Sequence, residues 1–366
     1  MSIFSKFKDS LLEIVDSTKR SELSFPLKKT GNIINNYTRG DFIVVGGRKT
    51  SGKSSFILSN YVISPLMQLL GAAKKDKAFG LKVVYINTRK NSRAVMERMV
   101  VNYISTKYKG NKVGVPTLYG YDGSHTKMPR ASARKALAGG MDALDAFSNK
   151  GRLSVVVGKK SVFEIEELIM RTMEEYGTYD SENASFTYDK EHREMIPIFA
   201  IDDITSITGE KGGNHIKNDN AHQLAIRLKN LAKILDIVIV LAVPSFSTSL
   251  KNAAVHTSTL DELSPYSIYA DRTIIMHNPM ETEDKSSLDY RTEEFINGKS
   301  GVCYLRVAYI ASNYMGASGV SLGYFMYPEN GYMMELPRAD SDMVEVFTNI
   351  VKGKKAPTEA QSEGDS

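Results

Sequence analysis

Cysteine is nearly absent from this 366-residue chain: Cys303 is the only one. No intramolecular disulfide and no cysteine-built metal site can form, and a reducing compartment is the simplest setting. The six histidines are scattered without metal-ligand spacing, so no zinc site is expected. A Gly-x-Ser-x-Gly elbow is missing, which removes that route to a serine nucleophile. Long apolar runs are missing too. No window approaches the ~18 consecutive apolar residues of a membrane span. Met1 to Arg20 interleaves Lys, Asp and Glu with its apolar residues, unlike the unbroken core of a signal peptide. Nor is there a large excess of one charge, since 47 basic against 42 acidic residues leave +5. That balance is compatible with a polyanionic partner and does not demonstrate one. Together these absences predict a soluble, cytoplasmic protein with no membrane partner.

What is present suffices for a large core: 42% of residues are hydrophobic and 24% charged, which excludes wholesale disorder. Residues 1–24 read as an amphipathic linker helix, with Ile3, Phe4, Phe7, Leu11, Ile14 and Val15 recurring at three- and four-residue steps. It either packs on its own domain or docks on a neighbouring subunit. Residues 25–352 alternate short β-branched runs with longer helical stretches. Strands are expected at Asp41–Gly46, Leu81–Ile86, Leu153–Val157, Ile196–Ile201 and Ile237–Val243, then at Arg272–Met276, Val302–Tyr309 and Gly319–Met326. Helices are expected at Ala94–Tyr108, 131–148, Ser161–Tyr176 and Ala221–Leu235, and loops at 109–130 and 179–194. Such alternation predicts an α/β fold, a mostly parallel sheet with helices on both faces. The late strands, with few helices between them, predict antiparallel additions at the C-terminal edge. Residues 353–366 are almost devoid of apolar side chains and read as a disordered tail.

One segment carries strong chemistry. Gly47-Arg48-Lys49-Thr50-Ser51-Gly52-Lys53-Ser54 satisfies G-x-x-x-x-G-K-[ST], between a buried strand and an apolar-periodic helix. Glycines let the backbone curl so that successive N–H groups face phosphate oxygens at the positive end of a helix. These eight residues and Ser55 are the expected nucleotide contacts. Lys53 is expected to reach the β- and γ-phosphates, and the Ser54 hydroxyl to ligate Mg²⁺. Ile198-Phe-Ala-Ile-Asp202-Asp203 is an apolar strand ending in acid, the form of a Walker B element. Asp202 is the second expected Mg²⁺ residue, and Asp203 either faces the attacking water or caps the surface. The catalytic candidates are therefore Lys53, Asp202 and Asp203, with ATP and Mg²⁺ as cofactors.

At these residues the chain resembles the RecA-fold ATPase domain of DnaB-type hexameric replicative helicases, over about Thr30 to Tyr327. The likeness rests on Thr30-Gly31 with Gly40-Asp41 before the cradle, on Arg98-Met99, and on Leu228-Lys229-Asn-Leu231-Ala232-Lys233. It continues through Leu260, Glu262 and Ala270-Asp271 to Gly316-Ala-Ser-Gly319. The resemblance implies a RecA-like P-loop core, ATP held between subunits of a hexameric ring, and replication proteins as partners. Three departures accompany it. Arg89 stands where the family's catalytic Glu follows the second strand, and a cation cannot act as that base. Pro244 stands at the γ-phosphate-sensing Gln. Ser312 and Tyr314 stand at the Lys and Arg that reach the neighbouring subunit. Loss of a trans arginine finger costs on the order of 10³–10⁵ in turnover. Arg48, Lys49 and Arg89 are candidate replacement charges, and Arg272 and Arg306 candidate shifted fingers.

In RecA-fold rings the loops after the Walker B strand and the next core strand face the central channel. Here those are Thr205–His222 and Ser245–Thr257, whose Lys211, Lys217 and Lys251 suit a phosphate backbone read without sequence preference. The expected function is an ATP-binding, DnaB-like helicase motor acting on single-stranded DNA, compact enough to be virus-encoded. Two alternatives stand beside it: a nucleotide-binding assembly or loader protein with little hydrolysis, and a RecA-type recombinase.

Overall fold

The computed structural model describes residues 23–34, 36–73, 80–109, 113–118, 130–204, 207–208, 218–245, 263–281, 290–313 and 319–352. The expected N-terminal helix (up to residue 22), the C-terminal tail, Lys211, Lys217, Lys251 and the turn bearing Tyr314 lie outside the described residues.

Six strands run parallel at the centre of the sheet: β1 (Phe42–Gly47), β2 (Leu81–Asn87), β3 (Leu153–Val157), β7 (Ile196–Asp202), β9 (Val238–Pro244) and β10 (Arg272–His277). Two short pairs stand apart from it, β4 (Lys160–Ser161) with β8 (Ile207–Thr208) and β5 (Gly177–Asp180) with β6 (Ser185–Tyr188). Three strands, β11 (Leu305–Asn313), β12 (Val320–Met326) and β13 (Met333–Glu335), extend the sheet in antiparallel pairing from β10. The order across the nine strands is β13-β12-β11-β10-β1-β9-β7-β2-β3. Residues of β1, β2, β7, β9 and β10 are buried throughout, because helices cover both faces; continuous rather than alternating apolar runs are the consequence. One core lies on each face, and a third cluster of aromatic residues, including Tyr290, Phe295 and Phe325, seals the antiparallel edge.

The helices follow their local signals. Ser161 caps Val162–Met173 with a reciprocal box: its hydroxyl accepts from Glu164 N–H at 3.2 Å and its own N–H donates to the Glu164 carboxylate. Asn91 caps Ser92–Lys107 by accepting from Ala94 N–H at 2.8 Å. The stretch behind the cradle, Lys53–Ala72, is long and apolar enough to span a membrane, yet 61% of its apolar window is buried as the central helix of one face. Two expectations change. The acidic, aromatic segment after Tyr179 is a hairpin, not a loop, since its alternation turns Tyr179, Phe186 and Tyr188 onto the second core. Tyr188 then donates its hydroxyl to the Leu235 carbonyl at 2.9 Å, with Arg39 over its ring. Within 109–130 a short helix forms at Val115–Leu118.

Candidate nucleotide-binding site

The C-terminal ends of β1, β2, β7 and β9 lie side by side, with Gly47 in register with Pro244 and Asn87 with Asp202. In open parallel sheets this is the edge where ligands bind. The turn after β1 needs its glycines. Gly47 has φ +146° and Gly52 φ +94°, and a Cβ on Gly47 would lie 2.4 Å from the Met276 carbonyl oxygen. The curled loop is closed on the Arg48 carbonyl, which accepts from Ser51 Oγ at 2.9 Å and from Lys53 Nζ at 3.2 Å. Lys53 is thereby buried at the helix start, folded over its own loop. Ser54 and Ser55 occupy the first helical turn.

Asp202 reaches this turn from β7. Its Oδ1 accepts from the Ser54 hydroxyl at 2.8 Å, while Oδ2 accepts from Tyr85 Oη at 2.8 Å and Asn87 Nδ2 at 3.1 Å. Three donors thus hold one buried carboxylate in a fixed orientation. Burial, together with the Asp202 charge, raises the Tyr85 hydroxyl well above its ordinary pKa, so it stays a donor. Asp203 is buried too and pairs with Arg89, whose Nη1 lies 3.1 Å from Oδ2. The Thr88 hydroxyl donates to the Asp203 carbonyl, tying the ends of β2 and β7 together.

Ser54, Asn87, Arg89, Asp202 and Asp203 border a cleft of about 470 Å³, lined also by Lys49, Thr50, Lys90, Arg98 and Arg306. Lys90 is pushed down to about 8, mainly by desolvation and then by the Arg98 charge. Among the described residues the cleft's carboxylates are Asp202 and Asp203, so cations outnumber acids at its walls. Two hard oxygens in contact, Ser54 Oγ and Asp202 Oδ1, are a donor set that fits Mg²⁺, which binds few protein ligands and completes its shell with water and phosphate oxygens.

The cleft includes Lys49, Thr50, Gly52, Lys53, Ser54, Ser55, Asp202 and Asp203 together. Arg48 belongs to the same loop, but its Nε and Nη2 are buried and have no hydrogen-bond partner among the described residues. Arg272, a candidate finger, lies elsewhere: it is 1% exposed and pairs with Asp41 at 2.6 Å. Arg306 enters the cleft within its own chain, donating to the Cys303 and Leu305 carbonyls at 2.9 and 2.6 Å. Sequence reasoning missed Tyr85, Asn87 and Lys90. Tyr85 and Asn87 lie on β2 at a spacing that carries no motif, and only the pairing of β2 with β7 brings them to Asp202; Lys90 follows β2 and lines the cleft.

No protein-family model matches the chain, and no curated protein matches it by sequence. Solved structures do match. The ATPase domain of G40P superposes with a TM-score of 0.60 at 16% identity, over 92% of this chain and 99% of that one. A DnaB-like replicative helicase, solved in a study of its interactions with primase, gives 0.60 at 15% identity, over 92% of this chain and 67% of that one. The fold is RecA-like, that of DnaB-like helicase ATPase domains. The antiparallel strands expected at the C-terminal edge are present.

Proposed function

We propose that the chain is an ATP-binding motor domain of the DnaB-like kind, acting on single-stranded DNA as a hexameric ring and hydrolysing ATP weakly. The observation that carries this reading is the 2.8 Å contact between Ser54 Oγ and Asp202 Oδ1 at the mouth of the curled loop. Ser54 and Asp202 would hold Mg²⁺, which would supply positive charge to the triphosphate. The chain's own groups do the rest. Loop N–H groups bind phosphate oxygens, and Lys53 exchanges the Arg48 carbonyl for the β- and γ-phosphates. Arg306 adds positive charge in cis. Asp203 accepts a proton from water as that water's oxygen bonds to the γ-phosphorus and the β–γ bridging oxygen leaves. For this the Arg89–Asp203 pair must open, since Arg89 Nη1 occupies the Oδ2 that would take the proton. Slow turnover follows.

Lys211, Lys217 and Lys251 are assigned to the strand-tracking loops on the resemblance alone. A second reading, an assembly or loader protein switched by nucleotide, draws support from Arg89 and Pro244 at two catalytic places. Steady-state ATP turnover with and without single-stranded DNA separates the two, with Lys53→Ala as control. Weak, DNA-stimulated turnover abolished in the variant is expected. Nucleotide binding without turnover on any polynucleotide favours the switch, and turnover indifferent to Lys53→Ala refutes the site. Solution mass with and without nucleotide tests the ring.

A further inference from the structure

The pair formed by Arg89 and Asp203 joins two unequal partners. The Asp203 side chain is 4% exposed and the Arg89 side chain 47%, so the carboxylate is embedded while the guanidinium lies at the surface of the cleft. They meet through Arg89 Nη1 and Asp203 Oδ2 at 3.1 Å. The backbone on either side of Arg89 is pinned. Thr88 N–H donates to the Asp202 carbonyl at 3.1 Å and its hydroxyl to the Asp203 carbonyl, while Lys90 N–H donates to Asn87 Oδ1 at 2.8 Å. Any change of partner by Arg89 is therefore a swing of its side chain.

The charges around the pair favour such a swing. Lys49, Lys53, Lys90, Arg98 and Arg306 share the walls of the cleft with Arg89, against the two carboxylates Asp202 and Asp203 among the described residues. Asp202 already accepts from Ser54, Tyr85 and Asn87, which leaves Asp203 as the anion that Arg89 holds. A triphosphate brings a larger negative charge into the same space. Its oxygens match the planar guanidinium fork as well as a carboxylate does. Asp203 is not stranded when Arg89 leaves, because it also acts electrostatically on the half-buried Lys90. ADP and ATP differ by the γ-phosphoryl group, so a change of partner that distinguishes them has to be driven by contacts to that group.

We propose that Arg89 is this chain's sensor of the γ-phosphate: it leaves Asp203 for the γ-phosphate oxygens of bound ATP. The same movement frees Asp203 Oδ2 for the water and sets a cation against the transferred group. This rests on residues 47–54 being a triphosphate cradle. Pro244 offers no side-chain donor at the end of its strand, and Arg89 supplies one from the end of β2. ADP has no γ-phosphate and leaves the pair closed. Arg89 thus holds the site inactive until a triphosphate is loaded, and then takes part in the reaction.

The test uses the full chain with Mg²⁺ and two saturating ligands, ADP and the non-hydrolysable AMP-PNP. Phenylglyoxal labelling of the wild type, read by mass spectrometry, follows Arg89 directly. Arg89 should be protected by AMP-PNP and stay as reactive with ADP as in the free protein. In equilibrium binding, Arg89→Gln should reduce the preference for AMP-PNP over ADP by about tenfold, the change expected for a hydrogen bond to a charged group, with ADP affinity unchanged. Arg89→Lys keeps the charge without the fork and should retain part of the preference. ATP turnover should fall in Arg89→Gln even though Asp203 is then released. Equal labelling of Arg89 with both nucleotides, an unchanged preference in Arg89→Gln, or faster turnover in that variant overturns the sensor; the cradle stands as long as Lys53→Ala weakens both ligands. Binding of both that ignores Lys53→Ala overturns the cradle reading instead. If Arg89→Gln fails to fold, the labelling of the wild type decides alone.

Discussion

Asp202 has more partners than its charge alone requires. Ser54, Tyr85 and Asn87 donate to its two oxygens from two elements, so the carboxylate is oriented before any ligand arrives. Removing one donor should loosen that orientation without emptying the site. Tyr85→Phe is expected to weaken Mg²⁺-dependent nucleotide binding several-fold while tripolyphosphate binding without metal stays unchanged, as titration calorimetry would record. Asp203 stands in a different position, buried yet tied to Arg89. If it takes the proton of water, Asp203→Asn should lower residual turnover by about 10²-fold or more with nucleotide affinity retained. Lys90 sets a pH dependence. With its pKa pushed down to about 8, it is cationic below that value and neutral above it. Triphosphate affinity should therefore fall as pH rises through 8, and Lys90→Arg, which keeps its charge, should flatten the profile.

At the scale of elements, the cradle helix changes register in its second turn. Leu58–Ile63 is π-helical, with Ser64 N–H bonded five residues back to the Ser59 carbonyl. The next such bond would run from residue 65 to the Asn60 carbonyl, but Pro65 has no N–H. The Tyr37 hydroxyl fills the vacancy by donating to that carbonyl. Tyr37→Phe should then leave a buried carbonyl unsatisfied, at a cost of about 1–3 kcal/mol in denaturant unfolding. Adding Pro65→Ala restores a donor, so the double variant should recover part of the loss; strict additivity of the two changes would contradict this account.

For the whole molecule, the two ends of the sheet are built differently. The C-terminal ends hold the cleft. The opposite end is bound by a buried charge network: Arg272 pairs with Asp41, Lys229 pairs with Asp271, and Phe42 N–H donates to Asp271 at 2.8 Å. Burial pushes Asp41 up to about 6 from 3.8, and Arg272 offsets only part of that. A raised carboxyl pKa favours the protonated form in the folded state. Its contribution to stability is complete below about 3.8 and is lost as pH rises through 6. The stability of the wild type relative to Asp41→Asn should therefore increase as pH falls from 8 to 4, by up to about 3 kcal/mol. Thermal unfolding of the two proteins at both pH values checks the sign. Arg272→Met strands Asp41 and should cost about 3–5 kcal/mol at pH 8.

Several segments that carried the resemblance turn out to belong to this structural end. Asp41 pairs there with Arg272, and Lys229 with Asp271, joining the sheet to a covering helix. Of the residues that depart from it, Arg89 lines the cleft and Pro244 is in register with Gly47, where the cradle begins. Likeness in the sequence thus marks both the scaffold and the cleft, where Arg98 and the cradle lie, and the chemistry had to be read from the neighbours of each side chain.

Parallel strands and the cradle were legible in the linear chain because both depend on local rules. A fully buried strand writes itself as an unbroken apolar run, and a phosphate-binding turn needs glycine at fixed spacing, as at Gly47 and Gly52. The hairpin Gly177–Tyr188 was less legible, since its acidic residues mask a two-residue alternation. Tertiary structure alone decided the rest. Register between β2 and β7 placed Tyr85 and Asn87 on Asp202 and set Arg89 against Asp203; the turn Pro328–Gly331 came to wall a cavity beside Ser55, far away along the chain. Such contacts join residues whose separation carries no period, so only the packed sheet specifies them.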